Sequence, residues 1–246
     1  MGSDDLAKKR IFANKQRRNS LKQTRKARAV GNRSVIPNIL ILTEGYSENI
    51  YFTELIRILS LNTVKSRKSI STACKGILQE AEEEAIKFKD KEDELNYIFC
   101  IFDLDTVKDR SHLEILSKVN SPFTKIIPVY SFPCIEIWFL MHYECVTRPF
   151  NPIGKKSIGD VVKSYLIDTY CSEYYEANED VIKDIASGYN HAIHNSIRLY
   201  EHQVEVDSIN PLTNIHSLVI LLKNISDRTQ DYLFDEQVQD FIQSKL

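Results

Sequence analysis

The stretch YIFCIFDLD, residues 97–105, decides how the chain is expected to fold. An apolar run ends there in two aspartates, Asp103 and Asp105, with one residue between them. A short continuous apolar run is typical of a strand that is buried on both faces of a parallel sheet. The two charges then mark either a loop that leaves the core or a strand end that brings two carboxylates to one place.

A second stretch, NILILTEG at residues 38–45, has the same form. Four apolar residues in a row predict another buried strand, and Glu44 and Gly45 follow it directly. Ligand sites of parallel sheets lie beyond the carboxyl ends of the strands. We therefore expect Glu44, Asp103 and Asp105 at the same edge of the sheet, with Gly45 allowing a tight turn close to a phosphate.

Residues 38–145 alternate between apolar runs and amphipathic segments in the order strand, helix, helix, strand, helix, strand, helix. This alternation predicts an α/β fold with a parallel sheet flanked by helices. The segment between the first two helices, residues 62–71, is a loop or a short strand. The third predicted helix covers residues 106–120.

The ends and faces of two predicted helices can be read from side-chain chemistry. Ser47 is expected to cap the first helix and Thr72 the second, because a hydroxyl oxygen can accept a bond from the first-turn N–H groups. The acidic run at residues 80–84 is expected to form a solvated face of the second helix.

From about residue 150 onward the periodicity is helical. The sequence therefore predicts three regions: a basic arm that has no fixed structure alone, an α/β core, and a helical C-terminal extension. Their expected bounds are residues 1–34, 35–148 and 149–246.

The formal charge is divided unevenly along the chain. Residues 1–34 hold 11 Lys and Arg against 2 Asp, whereas the remainder holds 21 basic and 32 acidic residues. Basic arms of this kind bind phosphate backbones through counterion release. The alternative is that the arm docks on the acidic body of its own chain, and the sequence leaves both readings open.

Composition excludes several classes of protein. The chain has 246 residues, 43% of them hydrophobic, and no apolar run approaches the ~18–20 residues that cross a bilayer. The start of the sequence is basic and polar with no apolar segment behind it, so no signal peptide is expected. The five cysteines form no C-x-x-C pair and are expected to be buried free thiols of a cytoplasmic protein.

Glu136 lies in the segment IEIWFLM, residues 135–141, where nearly every neighbour is apolar. A buried carboxylate is unfavourable unless it is paired or binds a metal. One reading is a salt bridge to a core Arg or Lys. The other is a metal ligand or a group that orients one.

The carboxylates together suit a hard divalent cation. Mg²⁺ takes oxygen ligands, commonly one or two carboxylates completed by substrate phosphate. Asp103 and Asp105 can converge on one ion. Glu44 can ligate the same ion or take a proton from the nucleophile.

Four stretches in this order resemble the RloB-like family, which is associated with bacterial abortive-infection and restriction loci. The resemblance covers residues 38–222, and its most specific pieces are P-C-x-E-x-W and N-P-x-T-N-x-H. The stretches are LILTEGYSENIYF (40–52), YIFCIFDLDT (97–106), SFPCIEIWFLMHY (131–143) and NPLTNIHSLV (210–219).

The resemblance implies a Toprim-like core, the fold shared with topoisomerases, bacterial primases and OLD-type nucleases. It implies that Glu44, Asp103 and Asp105 bind Mg²⁺ or Mn²⁺. It also implies a separate ABC- or AAA-type ATPase partner, since this chain has no G-x-x-x-x-G-K-[ST] motif of its own.

The chain departs from its apparent relatives at two positions. Leu104 stands between the aspartates where relatives commonly carry Arg, which weakens the argument for an extra phosphate contact there. Phe132 stands before the proline where Asn is expected. Neither change removes a carboxylate.

The leading hypothesis is a metal-dependent nuclease of an anti-phage system, with Glu44, Asp103, Asp105 and Glu136 as catalytic and metal-binding residues. The rival is a non-catalytic interaction or sensor subunit held by the ATPase. A primase-like or topoisomerase-like activity is the weakest reading. The sequence leaves open whether the substrate is DNA or RNA and whether the protein is a homo-oligomer.

Overall fold

A computed structural model of the chain describes residues 36–89, 91, 93–104, 124–229, 232 and 234–245. Within it Pro37–Leu246 forms one compact unit. The predicted basic arm (1–34) and the predicted helix at 106–120 lie outside the described residues. The division into three regions stays a prediction.

The core of this unit is a five-stranded mixed sheet in the order β2-β1-β3-β4-β5. Strands β1 to β4 are parallel to their neighbours, and β5 is antiparallel to β4. The expected α/β fold is therefore confirmed. The strands are β1 (Ile39–Thr43), β2 (Val64–Lys68), β3 (Tyr97–Asp103), β4 (Lys125–Phe132) and β5 (Leu212–Thr213).

The two central strands are buried on both faces, as their continuous apolar sequences predict. All five residues of β1 are buried, and so are the five central residues of β3. Successive side chains of a strand point to opposite faces, so full burial requires cover on both sides of the sheet. Helices provide that cover.

Eight helices occur in the described part of the chain, and the first two connect successive parallel strands. They are α1 (Tyr46–Ile58), α2 (Cys74–Phe88), α3 (Glu136–Leu140), α4 (Ile158–Thr169), α5 (Glu179–Ser187), α6 (Tyr189–Glu205), α7 (Ile215–Ser226) and α8 (Gln237–Lys245). No helix among the described residues is both long and apolar enough to cross a membrane.

The two predicted helix caps are wrong. Helix α1 begins two residues earlier than a Ser47 cap requires, with Gly45 at its N-cap, and α2 begins after Ala73; neither has a side-chain cap. The Ser47 hydroxyl instead accepts a hydrogen bond from the backbone N–H of Ala177 at 3.0 Å. Tertiary contact thus competes with local capping for this side chain.

The C-terminal region contributes more than helices. Residues 212–213 add β5 to the sheet, where Thr213 pairs with Ser131 and Leu212 with Phe132. Helical periodicity alone did not indicate this short strand, because two residues carry no period. The helix predicted over this stretch begins only at Ile215.

Residues 62–71, left open as loop or strand, contain the edge strand β2. Glu80 of α2 holds the end of this strand: its carboxylate accepts bonds from Ser69 Oγ, from the backbone N–H of Ile70 and from Arg67. The interpretation of residues 80–84 as a solvated face is therefore wrong for Glu80, which is buried. The buried bonds lower the pKa of Glu80 despite its desolvation.

We expect Glu80→Ala to lower the free energy of unfolding by about 1–3 kcal/mol, because it leaves the buried Ser69 hydroxyl without this acceptor and removes the bonds from Ile70 and Arg67. Urea denaturation followed by circular dichroism measures the loss. Glu83→Ala, an exposed position on the same helix, is the control and should change stability by less than about 0.5 kcal/mol. Equal stability of the two variants would contradict the role of Glu80.

Candidate active site

Strand register brings the first two predicted site residues together. Thr43 of β1 lies opposite Ile101 of β3, and the backbone N–H of Glu44 donates to the Ile101 carbonyl at 3.1 Å. The backbone N–H of Asp103 in turn donates to Glu44 Oε2 at 3.3 Å. Glu44 and Asp103 are therefore neighbours at the carboxyl edge of the sheet, as predicted.

Asp105 lies outside the described residues, so its place at this edge stays a prediction. The chain is described up to Leu104, which is buried and whose N–H donates to the Ser131 carbonyl at 2.9 Å. Pairing with β4 thus continues one residue past Asp103, and Leu104 packs into the core where relatives were expected to carry Arg.

A cleft of about 450 Å³ opens at this edge of the sheet. Carboxylates dominate its lining, with two lysines, Lys68 and Lys163, as the only basic groups among the described lining residues. The volume is within the ~300–1,000 Å³ of small-molecule and cofactor sites. Its acidic residues are Glu44, Glu48, Asp103, Glu136, Asp160 and Glu176.

Glu48 is a buried acidic residue of the cleft that the sequence analysis did not single out. It lies in the first turn of α1 and is only 4% exposed. A Cβ placed on Gly45 would lie 2.4 Å from Glu48 Oε2, so the absence of a side chain at Gly45 makes room for this carboxylate. Gly45 was expected to serve a turn, but its backbone is extended.

Burial, followed by the negative charges of Glu136 and Glu44, raises the pKa of Glu48 to about 7. A hydrogen bond from its own backbone N–H opposes this shift. A carboxyl group that is half-ionised near neutral pH is typical of functional sites. The spacing E-G-x-x-E was the available signal, because it places Glu48 on the first turn after Glu44.

Glu136 begins α3 and is 3% exposed. The Tyr174 hydroxyl donates to Glu136 Oε1 at 2.9 Å, and Lys163 Nζ lies 3.9 Å from the same oxygen. Burial and the adjacent Glu136 charge raise the pKa of Tyr174, which keeps this donor protonated. Glu136 therefore has an ion pair with a lysine, as expected if its role is structural. It also lines the cleft, as expected if it binds or orients a metal ion.

The helical region supplies the wall opposite the sheet edge, which sequence reasoning did not indicate. Lys163 of α4 contacts both Glu136 and Glu176. Burial alone would lower the pKa of Lys163, but the bond to Glu176 and the charge of Glu136 raise it. Asp160 forms a capping box with Ser157 at the start of α4 and also lines the cleft.

The donor set suits Mg²⁺ or Mn²⁺, because every acidic group that lines the cleft offers carboxylate oxygen. Among the residues that the structure describes, no three acidic, histidine or cysteine side chains are already arranged to hold a metal ion. The expected set includes Asp105, which is not among them. The chemistry of the donors fits such a cation. A bound cation would also offset the unfavourable burial of the Glu48 and Glu136 carboxylates.

The fold and the cleft define an α/β protein whose sheet edge carries converging carboxylates. The profile of the RloB-like protein family matches residues 39–222, and the chain belongs to this family. No curated protein and no solved structure matches the chain closely enough to add to the assignment. The suspected family is thereby confirmed.

We expect Glu48→Gln to stabilise the metal-free protein at pH 8 and not below about pH 4.5. The pKa of Glu48 is about 7 in the folded chain against an ordinary value of 4.5, so its ionisation destabilises the fold progressively as pH rises between these values. Thermal unfolding in EDTA should show a midpoint about 3 °C or more higher in the variant at pH 8.

The control for this measurement is Glu201→Gln, at an exposed position of α6. Two histidines, the partly buried His142 and the buried His216, have pKa values lowered to about 4 by desolvation and titrate in part of the same range. They are present in all three proteins, so their contribution cancels in the difference. A constant difference between Glu48→Gln and wild type from pH 4 to pH 8 would show that the pKa of Glu48 is not raised.

Proposed function

We propose that this protein is a metal-dependent nuclease that hydrolyses phosphodiester bonds of nucleic acid. The observation that carries the proposal is the pairing of Glu44 with Asp103 at the carboxyl end of two parallel strands, within a cleft that also contains two buried carboxylates. Membership of the RloB-like family and the resemblance of these strand ends to a Toprim-like core support it.

In this proposal Glu44, Asp103 and Asp105 hold Mg²⁺ or Mn²⁺. When bound, the ion polarises a phosphodiester and stabilises the leaving oxygen. Glu136 either binds a second ion or orients the first, and the Tyr174 hydroxyl at 2.9 Å fixes the direction of its carboxylate. Lys163 partly offsets the negative charge that these groups accumulate.

Glu48 is the proposed proton acceptor. A general base is most effective when its pKa lies near the working pH, and the pKa of Glu48 is raised to about 7. Its position against Gly45, one turn from Glu44, keeps it within the same cleft. We propose that its carboxylate accepts a proton from the attacking water.

We further propose that the nuclease is an effector of a bacterial anti-phage system and works in the cytoplasm with a separate ATPase. The resemblance supports this setting, and the sequence has no phosphate-binding loop of its own. The basic arm, with 11 Lys and Arg among residues 1–34, is proposed to hold nucleic acid or the partner.

A non-catalytic interaction subunit is the second candidate. It is favoured by the ion pair from Lys163 to Glu136, which neutralises part of the cleft without a metal. In this case the carboxylates would serve the fold or a protein partner.

We expect Asp103→Asn to lower cleavage of DNA or RNA by at least about 100-fold, because changes in the outer shell of metal sites alone cost 10–100-fold. The assay uses full-length protein, with and without its ATPase, in Mg²⁺ or Mn²⁺. Asp168→Asn, an exposed position on α4, is the control and should cleave normally. Unchanged cleavage by Asp103→Asn would refute the assignment of this residue.

Calorimetric titration of Mn²⁺ separates the two candidates. The nuclease requires binding that weakens in Glu44→Ala and in Asp103→Asn. The interaction subunit requires no binding at millimolar metal in wild type and no change in either variant.

A further inference from the structure

An exposed tyrosine, Tyr46, and a lysine, Lys68, lie next to each other in the lining of the cleft. Tyr46 is the first residue of α1, and 63% of its surface is exposed although it is a large aromatic residue. Lys68 ends the edge strand β2, with its Nζ 5.3 Å from the centroid of the Tyr46 ring. Both line the cleft that contains Glu44 and Asp103.

The backbone fixes the position of this pair. Lys68 is the register partner of Thr43, so it lies beside the point where β1 ends and Glu44 begins. The Thr43 hydroxyl donates to the Gly45 carbonyl at 3.0 Å, which holds the short connection to Tyr46. One residue, Gly45, separates Tyr46 from Glu44, so their Cα atoms lie at most about 7 Å apart, comparable with the length of one nucleotide.

Tyr46 and Lys68 contribute little to the stability of the fold. A ring that remains 63% exposed buries little apolar surface, so Tyr46 contributes little to the core. Lys68 has no ion pair with any carboxylate among the described residues, although acidic groups dominate the cleft it lines. Its ammonium group donates to the carbonyl of Ser69 at 3.2 Å.

We propose that Tyr46 and Lys68 form a subsite for one unpaired nucleotide next to the phosphodiester that is cut. The Tyr46 ring stacks on the base, and Lys68 contacts the adjoining phosphate. This inference rests on the proposed nuclease function and adds the substrate class, a single strand of nucleic acid. Bases within a duplex are already stacked on both sides and offer no face to the ring.

The test measures binding of fluorescein-labelled single strands, dT15 and rU15, by anisotropy in ~150 mM salt with Mg²⁺. Full-length protein carries Asp103→Asn to prevent cleavage during the measurement. Tyr46→Ala should weaken binding by at least about fivefold, since stacking on one aromatic side chain is worth this much or more. Tyr46→Phe keeps the ring and should bind within about twofold of the parent.

Tyr175→Ala is the matched control, because Tyr175 is 64% exposed and does not line the cleft. It should bind as the parent does, and the basic arm contributes equally to every variant. At protein concentrations that saturate the strand, a 2-aminopurine base should lose fluorescence on binding to the parent and keep it on binding to Tyr46→Ala, which a purely structural role for Tyr46 would not produce. Comparison of dT15 with rU15 shows whether the strand is DNA or RNA.

Lys68→Gln tests the phosphate contact. The slope of log affinity against log salt should become shallower by about 0.7, the value for one phosphate contact on a single strand. An unchanged slope would overturn the role of Lys68. The subsite would be overturned by any of three results. Tyr46→Ala binds as the parent does; Tyr46→Ala and Tyr175→Ala lose affinity equally; or the fivefold loss occurs only with a blunt duplex of the same length.

These outcomes are distinguishable from failure of the nuclease proposal. Single-strand binding that depends on Tyr46 in a protein without cleavage activity would retain the subsite and reject the nuclease. Cleavage that depends on Asp103, together with binding that ignores Tyr46, would retain the nuclease and reject the subsite.

Discussion

The parallel pairing of β1 with β3 is the constraint on which the rest of the site depends. Its backbone hydrogen bonds set Thr43 opposite Ile101 and bring Glu44 Oε2 to 3.3 Å from the Asp103 N–H. A shift of the register by one residue would turn every side chain of one strand to the other face of the sheet. The same pairing places Glu44 and Asp103 in a partly buried cleft, where burial, followed by the negative charges of Glu136 and Glu44, raises the pKa of Glu48. A cation, a proton or an ion pair must offset that charge.

The most specific sequence motif of the resemblance has a structural role that its polar residues did not indicate. In N-P-x-T-N-x-H, the Asn214 Oδ1 accepts from the Tyr130 N–H at 2.6 Å, and the Thr213 hydroxyl lies 3.0 Å from that of Ser131. Ser131 is the register partner of Asp103. This motif therefore braces β4 beside the strand end that carries the predicted metal ligand. His216, the last residue of the motif, is buried, and its Nδ1 lies 2.8 Å from the Ser196 hydroxyl of α6.

The helical region is part of the site rather than an appendage to it. Lys163 on α4 and Tyr174 after it reach Glu136, which begins a short helix directly after β4. Ser47, expected to cap α1, instead accepts a bond from Ala177 and ties the start of that helix to the same segment. The segment 174–177 thus contacts both Glu136, 38 residues away from Tyr174, and the start of α1, 130 residues away from Ala177.

The sequence by itself indicated three of the five strands and two of the site residues. Short continuous apolar runs are typical of strands covered on both faces, and parallel strands place the residues that follow them, Glu44 and Asp103, at one edge. Only the tertiary structure decided which other groups share that cleft. Glu48 is buried in space that Gly45 leaves open, and Glu80 is buried where it accepts hydrogen bonds from the residues that follow β2. In the sequence both look like ordinary acidic residues of a helix. Burial and long-range hydrogen bonding depend on how distant segments pack, and local periodicity carries no information about that packing.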